Sequence, residues 1–389
     1  MENVPRTNKG FPVEAFERQR TPFYYYDLDI LHGTLAELNR CMARLPWPCT
    51  MHYAVKANAN PRLLAEIAGH GLGADLVSGG EIQAAIHAGF KPALMAYSGV
   101  GKADWEIRLG LECGVGCFNV ESVPELEVIS ALAAEMGCTA PVAIRVNPDI
   151  DAHTHRYITT GTAQSKFGIP IEQLPQVVDL ALTLPHVHLS GLHFHIGSQI
   201  IDLQPYEMLC DTINALLDHY ESRGIHFETI NVGGGLGIDY SDPDCHAMPD
   251  FEHYFGTFAH LRLRDGQQLH FELGRAVVGA CGSLISRVLY VKHSRDKQFV
   301  ILDAGMTDLI RPALYEAHHL IQNLTAVDGA SQAYDVVGPV CESSDVFAHD
   351  CPLPVTRRGD LIALRSAGAY GESMASSYNQ RSLPGSYFA

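Results

Sequence analysis

The sequence lacks several features that would assign a chain to a particular class of protein. No apolar run approaches the roughly 18 residues that are needed to cross a bilayer, and no low-complexity linker occurs. The start, MENVPRTNKGFP, has no apolar segment, so we expect no secretory signal. The ten cysteines form neither a CxxC motif nor a paired framework, which favours free thiols in a reducing cytoplasm.

Basic residues are also scarce. The 389 residues include 27 Lys and Arg against 44 Asp and Glu, which gives a formal net charge of -17. Nucleic acids and anionic membrane surfaces attract basic faces, so we predict that neither is a partner. The hydrophobic share of 47% and the charged share of 18% are typical of a globular enzyme.

The sequence does contain a repeated alternation of strand-like and helix-like segments. Eight repeats predict an α/β fold with a (β/α)8 TIM-type barrel; an open doubly wound sheet is the alternative, but it usually has fewer repeats. The helical segments include SGGEIQAAIHAGF, with Ser78 as its N-cap, and LQPYEMLCDTINALLDHYESRG, the longest. The strand-like runs are HYAVK (52–56), ADLVS (74–78), ALMAY (93–97), GCFNV (116–120), VAIRV (142–146), LSGLHFHI (189–196), FETINV (227–232) and LHFEL (269–273).

The sequence pattern changes after residue 275, where short strand-like runs alternate with glycine turns. This pattern predicts a mainly β C-terminal domain, and the strand-like N-terminal TPFYYYDL is expected to join it. The predicted domains are therefore residues 28–267 for the barrel and residues 1–27 plus 268–389 for the mainly β domain.

Polar residues or glycines occur at all eight predicted strand ends. The catalytic groups of such barrels lie at the C-terminal ends of the strands, so the recurrence favours a functional site there. The residues at these ends are Lys56, Asp75, Ser98, Asn119, Arg145, His195, Gly233 to Gly235, Glu272 and Arg275.

The glycine triplet in NVGGGLGIDY follows the seventh run, where barrels often bind phosphate. Backbone amides that no side chain shields can cradle a phosphate, and Arg275 would add a cation. A tight turn without a ligand is the alternative interpretation of Gly233, Gly234 and Gly235.

The HxH pair in HFHIGS resembles a pair of metal ligands. We expect His193 and His195 to point to opposite faces of their strand, which argues against a shared metal, so we predict no metal site. Two interpretations of His195 remain: a core histidine with satisfied hydrogen bonds, or a flat ring packed on a flat cofactor.

Lys56 likewise has two interpretations, an ordinary exposed lysine where a strand meets a loop or an amine that reaches a cofactor. A lysine near a phosphate cradle and a stacking ring describes a pyridoxal 5'-phosphate site, in which the amine forms a Schiff base with the aldehyde.

Motifs along nearly the whole chain carry a resemblance to a known family. They include TPFYYYDL, YAVKAN, ADLVSGGE, YSGVGK, RVNPDIDAHTHRYITTG, SKFGI, HFHIGSQ, NVGGGLG, FELGRAVV, DAGMTDLIRPALY, GPVCESSDV and GAYGESMASSYNQR. The sequence resembles the fold type III pyridoxal phosphate-dependent decarboxylases, which have an alanine racemase-like barrel, and most closely the diaminopimelate decarboxylases. The resemblance implies a homodimer with two shared active sites and the decarboxylation of meso-2,6-diaminopimelate to L-lysine and CO2.

The resemblance also implies a role for each matching residue. Lys56 resembles the Schiff-base lysine, His195 the residue that stacks on the ring, and Glu272 the partner of the pyridine nitrogen. Arg311 and Tyr315, with Arg275, resemble a clamp on the distal carboxylate of the substrate. Cys341, the expected acid, and Glu342, expected to bind the distal amine, resemble a pair from the partner chain. The groups expected to bind the cofactor, around its phosphate or beside it, are Asp75, Ser198, Gly233, Gly234, Gly235, Arg275 and Tyr378, the last two also expected near the substrate.

Other functions remain open. A sister decarboxylase of a siderophore, polyamine or antibiotic pathway is one alternative, because the chain ends soon after YNQR. An alanine racemase is disfavoured, since Glu272 would make the cofactor a strong electron sink. A non-catalytic pyridoxal phosphate-binding regulator is a third alternative, against which the presence of Lys56, Glu272 and Cys341 argues.

Overall fold

The computed structural model describes residues 10–152, 165–326 and 329–389. The chain divides into two compact units. Of the described residues, those within 34–237 and 249–277 form the barrel unit, and those within 10–33, 238–248 and 278–389 form the β unit.

The barrel unit contains a closed parallel sheet. A short helix α1 (Val13–Phe16), strand β1 (Phe23–Tyr26) and helix α2 (Leu28–Met42) precede its first strand. The strands that follow are β2 (Cys49–Ala54), β3 (Gly73–Leu76), β4 (Met95–Tyr97), β5 (Cys117–Val120), β6 (Ala140–Asn147), β7 (Ile169–Pro170), β8 (Val187–His193), β9 (Thr229–Asn231) and β10 (Gln268–Leu273). The order is β5-β4-β3-β2-β10-β9-β8-β6, and the pairing of β5 with β6 closes the ring. Strand β7 pairs with β6 at the edge of this sheet. The predicted barrel is confirmed.

Helices follow the barrel strands, and local sequence sets their ends. The helices are α3 (Pro61–Gly69), α4 (Gly79–Ala88), α5 (Asp104–Cys113), α6 (Val123–Glu135), α7 (Leu174–Thr183), α8 (Gln204–Ser222), α9 (Phe251–Thr257) and α10 (Arg275–Val278). Ser78 caps α4 as predicted, because its hydroxyl accepts a hydrogen bond from the Glu81 N–H at 3.2 Å. Gly89, at φ 94°, ends the same helix in the left-handed conformation.

The β unit is built on a mainly antiparallel sheet. Its later elements are β11 (Gly282–His293), β12 (Gln298–Leu302), α11 (Arg311–Tyr315), β13 (Ile321–Asn323), β14 (Ser331–Val337), β15 (Val346–Pro354), β16 (Leu361–Leu364) and β17 (Gly385–Phe388). The strand order is β13-β16-β11-β12-β14-β15, and β1 pairs with both β11 and β17. The expectation that the N-terminal strand joins the β domain is confirmed.

The units divide the chain differently from the predicted domains. The predicted barrel ends at residue 267, whereas β10 begins at Gln268 and pairs with β2 and β9 in the barrel sheet. The assignment of roles to the two domains stays a prediction.

Two further findings concern the cysteines and the length of the helices. All ten cysteines are free thiols. No helix in the described part of the chain is long and apolar enough to cross a membrane.

Candidate active site

Lys56 lies just beyond the end of its strand. Strand β2 ends at Ala54 and Val55–Ala57 form a single 3-10 turn, so the prediction that the strand runs to residue 56 is wrong by two residues. Ala54 pairs with Asp75 of β3, and this register brings Lys56 Nζ to 2.5 Å from Asp75 Oδ2. The lysine side chain is 36% exposed, whereas the aspartate is buried.

Asp75 is a buried carboxylate with one oxygen satisfied. Burial and the charge of Glu272 raise the pKa of Asp75, while Lys56 opposes the shift. Among the described residues, Asp75 Oδ1 has no hydrogen-bond partner. A buried oxygen of this kind is costly unless a further donor reaches it, which is what a ligand beside Lys56 would supply.

Glu272, on β10, is the centre of a buried polar cluster formed from four barrel strands. Its Oε2 accepts a hydrogen bond from His193 Nε2 at 2.9 Å. Its Oε1 accepts hydrogen bonds from Asn231 Nδ2 at 2.7 Å and from Asn119 Nδ2 at 3.2 Å. All four side chains are buried.

This cluster keeps Glu272 ionised. Burial acts to raise its pKa, but the hydrogen bond and charge of His193, together with the charge of Lys56, outweigh burial and hold the pKa well below its ordinary value. The orientation of Asn231 is also fixed, because its Oδ1 accepts the Gly233 N–H at 2.9 Å and its Nδ2 is left to face Glu272. The site therefore contains a carboxylate that can pair with a cationic or N–H group.

The glycine turn needs glycine on steric grounds. A Cβ on Gly234 would lie 1.8 Å from the Glu272 carbonyl oxygen, and Gly233 has φ +72°. Two of the three N–H groups already have protein acceptors: Gly233 donates to Asn231, and Gly234 donates to His195 Nδ1 at 3.2 Å. The role of the glycine triplet in binding a phosphate stays a prediction.

The remaining glycine, Gly235, packs against the residue that precedes Ser198. A Cβ on Gly235 would lie 2.5 Å from the carbonyl oxygen of Gly197, the neighbour of Ser198. Ser198 Oγ in turn accepts a hydrogen bond from Arg275 Nη2 at 3.0 Å. A hydroxyl and a guanidinium beside a crowded glycine turn are groups that suit a phosphate.

His195 is a partly buried, neutral ring. Burial and the charges of Arg145 and Lys56 hold its pKa well below its ordinary value. Arg145 is itself buried and paired with Glu121 at 2.8 Å. Neutral imidazole can pack on a flat heteroaromatic ring, as the functional interpretation of His195 requires.

The expectation that His193 and His195 point to opposite faces of their strand is wrong. Residues two apart on a strand share a face, rather than opposing faces. The histidines are instead separated because β8 ends at His193, whose Nε2 meets Glu272, whereas the Nδ1 of His195 meets Gly234. No group of three potential ligands in the described residues could hold a metal ion, and the absence of a metal stays a prediction.

The β unit holds the other predicted site residues. Glu342 Oε1 accepts a hydrogen bond from Tyr378 Oη at 2.7 Å, and the Cys341 N–H donates to Asn379 Oδ1 at 3.2 Å. Cys341 is exposed, and the exposed fraction of Tyr378 is 51%. The motifs GPVCESSD and YNQR, about 35 residues apart, thus meet in the folded chain, and the roles of their residues stay predictions.

Arg311 and Tyr315 mark the two ends of helix α11. Arg311 is buried, its Nη1 lies 2.6 Å from His319 Nε2, and its guanidinium carbon lies 4.5 Å from the centroid of the Tyr240 ring. Tyr315 is half-buried.

Sequence reasoning missed three residues of these clusters. Asn231 was not singled out, although it precedes the glycine triplet by only two positions. His193 was considered only as a metal ligand, and correct use of the two-residue period would have turned it toward the same face as His195. His319 could not be identified from the sequence, because its contact with Arg311 forms only in the folded chain.

The donors and acceptors of the barrel unit fit pyridoxal phosphate. The amine of Lys56 suits the aldehyde end, and the unsatisfied oxygen of Asp75 suits an O–H donor such as the ring hydroxyl. The ionised carboxylate of Glu272 suits a protonated ring nitrogen. Ser198 and Arg275 suit the phosphate. All of these groups lie in the barrel unit.

Comparison with known proteins agrees with this chemistry. A family model described as "Pyridoxal-dependent decarboxylase, pyridoxal binding domain" matches residues 33–279. The chain is 59% identical over 378 residues to a diaminopimelate decarboxylase of Bacteroides thetaiotaomicron, with 97% of each chain covered. It is 44% identical to one of Zymomonas mobilis, covering 85% of this chain and 78% of that relative.

Solved structures give the same result. A diaminopimelate decarboxylase from Helicobacter pylori, complexed with L-lysine, superimposes with a TM-score of 0.91 at 38% identity, covering 97% of this chain and 93% of that one. Fold, site and family model define a pyridoxal phosphate-dependent decarboxylase, and the predicted cofactor and carboxy-lyase class are confirmed. Within that class, the chain belongs to the diaminopimelate decarboxylase family.

Proposed function

We propose that this chain decarboxylates meso-2,6-diaminopimelate to L-lysine and CO2. The observation that carries the proposal is the 59% identity, over 97% of both chains, to a diaminopimelate decarboxylase. A buried guanidinium at Arg311, suited to a second carboxylate, supports the choice of a substrate with an amino-acid group at each end.

The barrel residues bind and orient the cofactor in this proposal. Lys56 would hold it through its amine, His195 would contact its ring, and Ser198, Gly235 and Arg275 would bind its phosphate. When bound, pyridoxal phosphate supplies an electron sink for the electrons of the breaking C–C bond. Glu272 holds a proton on the ring nitrogen, for which its lowered pKa and its three donors prepare it.

The β-unit residues bind the substrate and return a proton. Arg311 and Tyr315, with Arg275, bind the distal carboxylate, and Glu342 binds the distal amine beside Tyr378. Cys341 donates the proton that replaces the departing carboxyl group. Its exposure leaves the thiol open to a substrate.

We also propose that the chain acts as a cytoplasmic homodimer in which Cys341 and Glu342 complete the partner's site. Mixing Lys56→Ala and Cys341→Ala chains tests the shared sites, because each variant alone is expected to be inactive. Random pairing should restore roughly one quarter of wild-type activity, since half of the dimers then carry one intact site. No recovery would contradict shared sites.

The substrate is tested by CO2 release from the purified holoenzyme. Separate assays would offer meso-diaminopimelate, L-lysine, L-ornithine and L-arginine. Turnover of diaminopimelate alone, with lysine as product, is the expected result. Turnover of another amino acid instead would overturn the assignment of Arg311 and Tyr315, and absorbance of the bound cofactor without any turnover would favour a binding role.

A further inference from the structure

The guanidinium of Arg311 is held by a histidine that is not part of the proposed site. Arg311 Nη1 lies 2.6 Å from His319 Nε2, and both side chains are buried. Burying a guanidinium is costly unless neighbouring groups accept its hydrogen bonds. The acceptor in this contact is a ring nitrogen, so the protonation of that ring matters to Arg311.

The protonation of His319 follows from the contacts of its two ring nitrogens. An arginine N–H can only donate, so Nε2 must carry no proton. On the other side of the ring, Nδ1 lies 2.8 Å from the backbone carbonyl oxygen of Arg365, which can only accept, so Nδ1 must carry the proton. His319 is therefore neutral, in the tautomer that has its hydrogen on Nδ1.

The framework around His319 is rigid. His319 lies two residues before the start of β13, and Arg365 directly follows β16. Ile321 and Leu364 pair in these antiparallel strands. The Arg365 N–H donates to the Leu320 carbonyl oxygen at 2.9 Å. Tyr240 packs edge-on against the histidine ring at 5.0 Å and also lies against Arg311. Two paired strands thus fix the ring that meets the guanidinium.

We propose that His319 is a positioning residue, which orients Arg311 and so sets how tightly the enzyme binds the second carboxylate of its substrate. The inference rests on the proposed function, because the substrate contact of Arg311 does. A neutral acceptor suits this task, since it holds one guanidinium N–H without cancelling the positive charge. A carboxylate at position 319 would neutralise Arg311, and a protonated imidazole would repel it.

Two substitutions separate the contacts of His319. The amide nitrogen of His319→Asn replaces Nδ1 and can still donate to the Arg365 carbonyl, but the side chain is too short to reach Arg311. The amide oxygen of His319→Gln replaces Nε2 and can still accept from Arg311. The Gln variant is therefore the matched control for the Asn variant.

The readout compares two inhibitors of the holoenzyme that differ by one carboxylate, L-lysine and cadaverine. We expect His319→Asn to raise the KM for meso-diaminopimelate and the inhibition constant of L-lysine about 10-fold or more, the range for loss of a hydrogen bond to a buried charged group. The kcat and the inhibition constant of cadaverine should change less than about threefold. His319→Gln should stay within about threefold of wild type throughout.

Several outcomes would overturn the inference. One is a His319→Asn enzyme that keeps wild-type affinity for L-lysine; another is equal weakening of lysine and cadaverine, which would indicate a merely structural role. The Arg311→Ala background is a further check, because adding His319→Asn there should not weaken lysine binding again. If His319→Asn does not fold, His319→Met, which matches Gln in length but lacks its acceptor, carries the same expectation.

Different experimental results would contradict the proposed function and the inference about His319. A wild-type holoenzyme that does not decarboxylate meso-diaminopimelate contradicts the proposed function, whatever the variants do. A wild-type enzyme that is active on diaminopimelate, with His319 variants that leave lysine affinity unchanged, contradicts only the inference.

Discussion

Each of the two units of this protein buries a charged side chain against a histidine. The charge is negative in the barrel unit and positive in the β unit. In the barrel unit, His193 Nε2 donates to the carboxylate of Glu272 at 2.9 Å. In the β unit, His319 Nε2 accepts from the guanidinium of Arg311 at 2.6 Å. The same ring atom therefore acts as donor in one unit and as acceptor in the other.

The second ring nitrogen explains how this is possible. His319 Nδ1 gives its proton to a backbone carbonyl, which leaves Nε2 free to accept. His193 Nδ1 has no partner within the described ranges, and the proton on Nε2 is fixed by the carboxylate. The role of a buried histidine is thus determined by both neighbours together.

The largest expected effect comes from replacing Lys56. This test compares the loss of a barrel residue with the loss of a β-unit residue, and asks which of the two abolishes cofactor binding. Lys56→Ala should abolish the absorbance of the bound cofactor and lower turnover by roughly 10³-fold or more, because a covalent attachment is lost. Arg311→Ala is the control from the β unit and should keep the absorbance while raising KM. Substantial activity in Lys56→Ala would refute the barrel site.

The comparison is sharpened by changing His193 in the same way as His319. Gln presents an amide N–H near the position of Nε2, whereas Asn does not reach Glu272. His193→Asn should lower kcat about 10- to 100-fold, the cost of losing a charge-assisted hydrogen bond, and His193→Gln should recover most of that loss.

The control for His193 is the affinity for L-lysine relative to cadaverine, which should not change. A His193→Asn enzyme with wild-type kcat would mean that Asn119 and Asn231 suffice to hold Glu272. Equal loss in the Gln and Asn variants would mean that the imidazole acts by its shape.

The smallest expected effect concerns Glu81, a half-buried glutamate of the barrel whose pKa is shifted upward, opposite to that of Glu272. Burial raises the pKa of Glu81 to about 7. Ionisation of Glu81 therefore destabilises the folded chain. This destabilisation is absent below the unfolded pKa of about 4.5, grows as the pH rises to about 7, and is fully present above that pH. Glu81→Gln removes this penalty and should stabilise the protein by about 1–3 kcal/mol at about pH 8.

Thermal or urea unfolding of the wild type and Glu81→Gln, at about pH 5 and about pH 8, would measure this difference. The advantage of Gln should shrink at the lower pH. An advantage that does not depend on pH would show that the effect comes from packing. The amide oxygen of Gln can still accept the Val77 N–H, so the hydrogen bond of Glu81 at 2.7 Å is preserved.

Much of the barrel could be predicted because its information is local. Each of the eight apolar runs overlaps a strand, and the polar residues at their ends lie in one unit. The end of β2 was misjudged because Val55 and Lys56 belong to a separate turn.

The sequence by itself determined the eight-fold repeat, the residues that follow each strand and, through motifs, the family. Those properties depend on side-chain periodicity and on residue type, which a linear sequence carries. Only the tertiary structure decided which donors surround Glu272 and which histidine holds Arg311. Glu272 is 79 positions from His193, and the proton on His319 is set by a carbonyl 46 positions away. Contacts of this range arise from strand pairing, which brings distant residues together in a register that no local pattern contains.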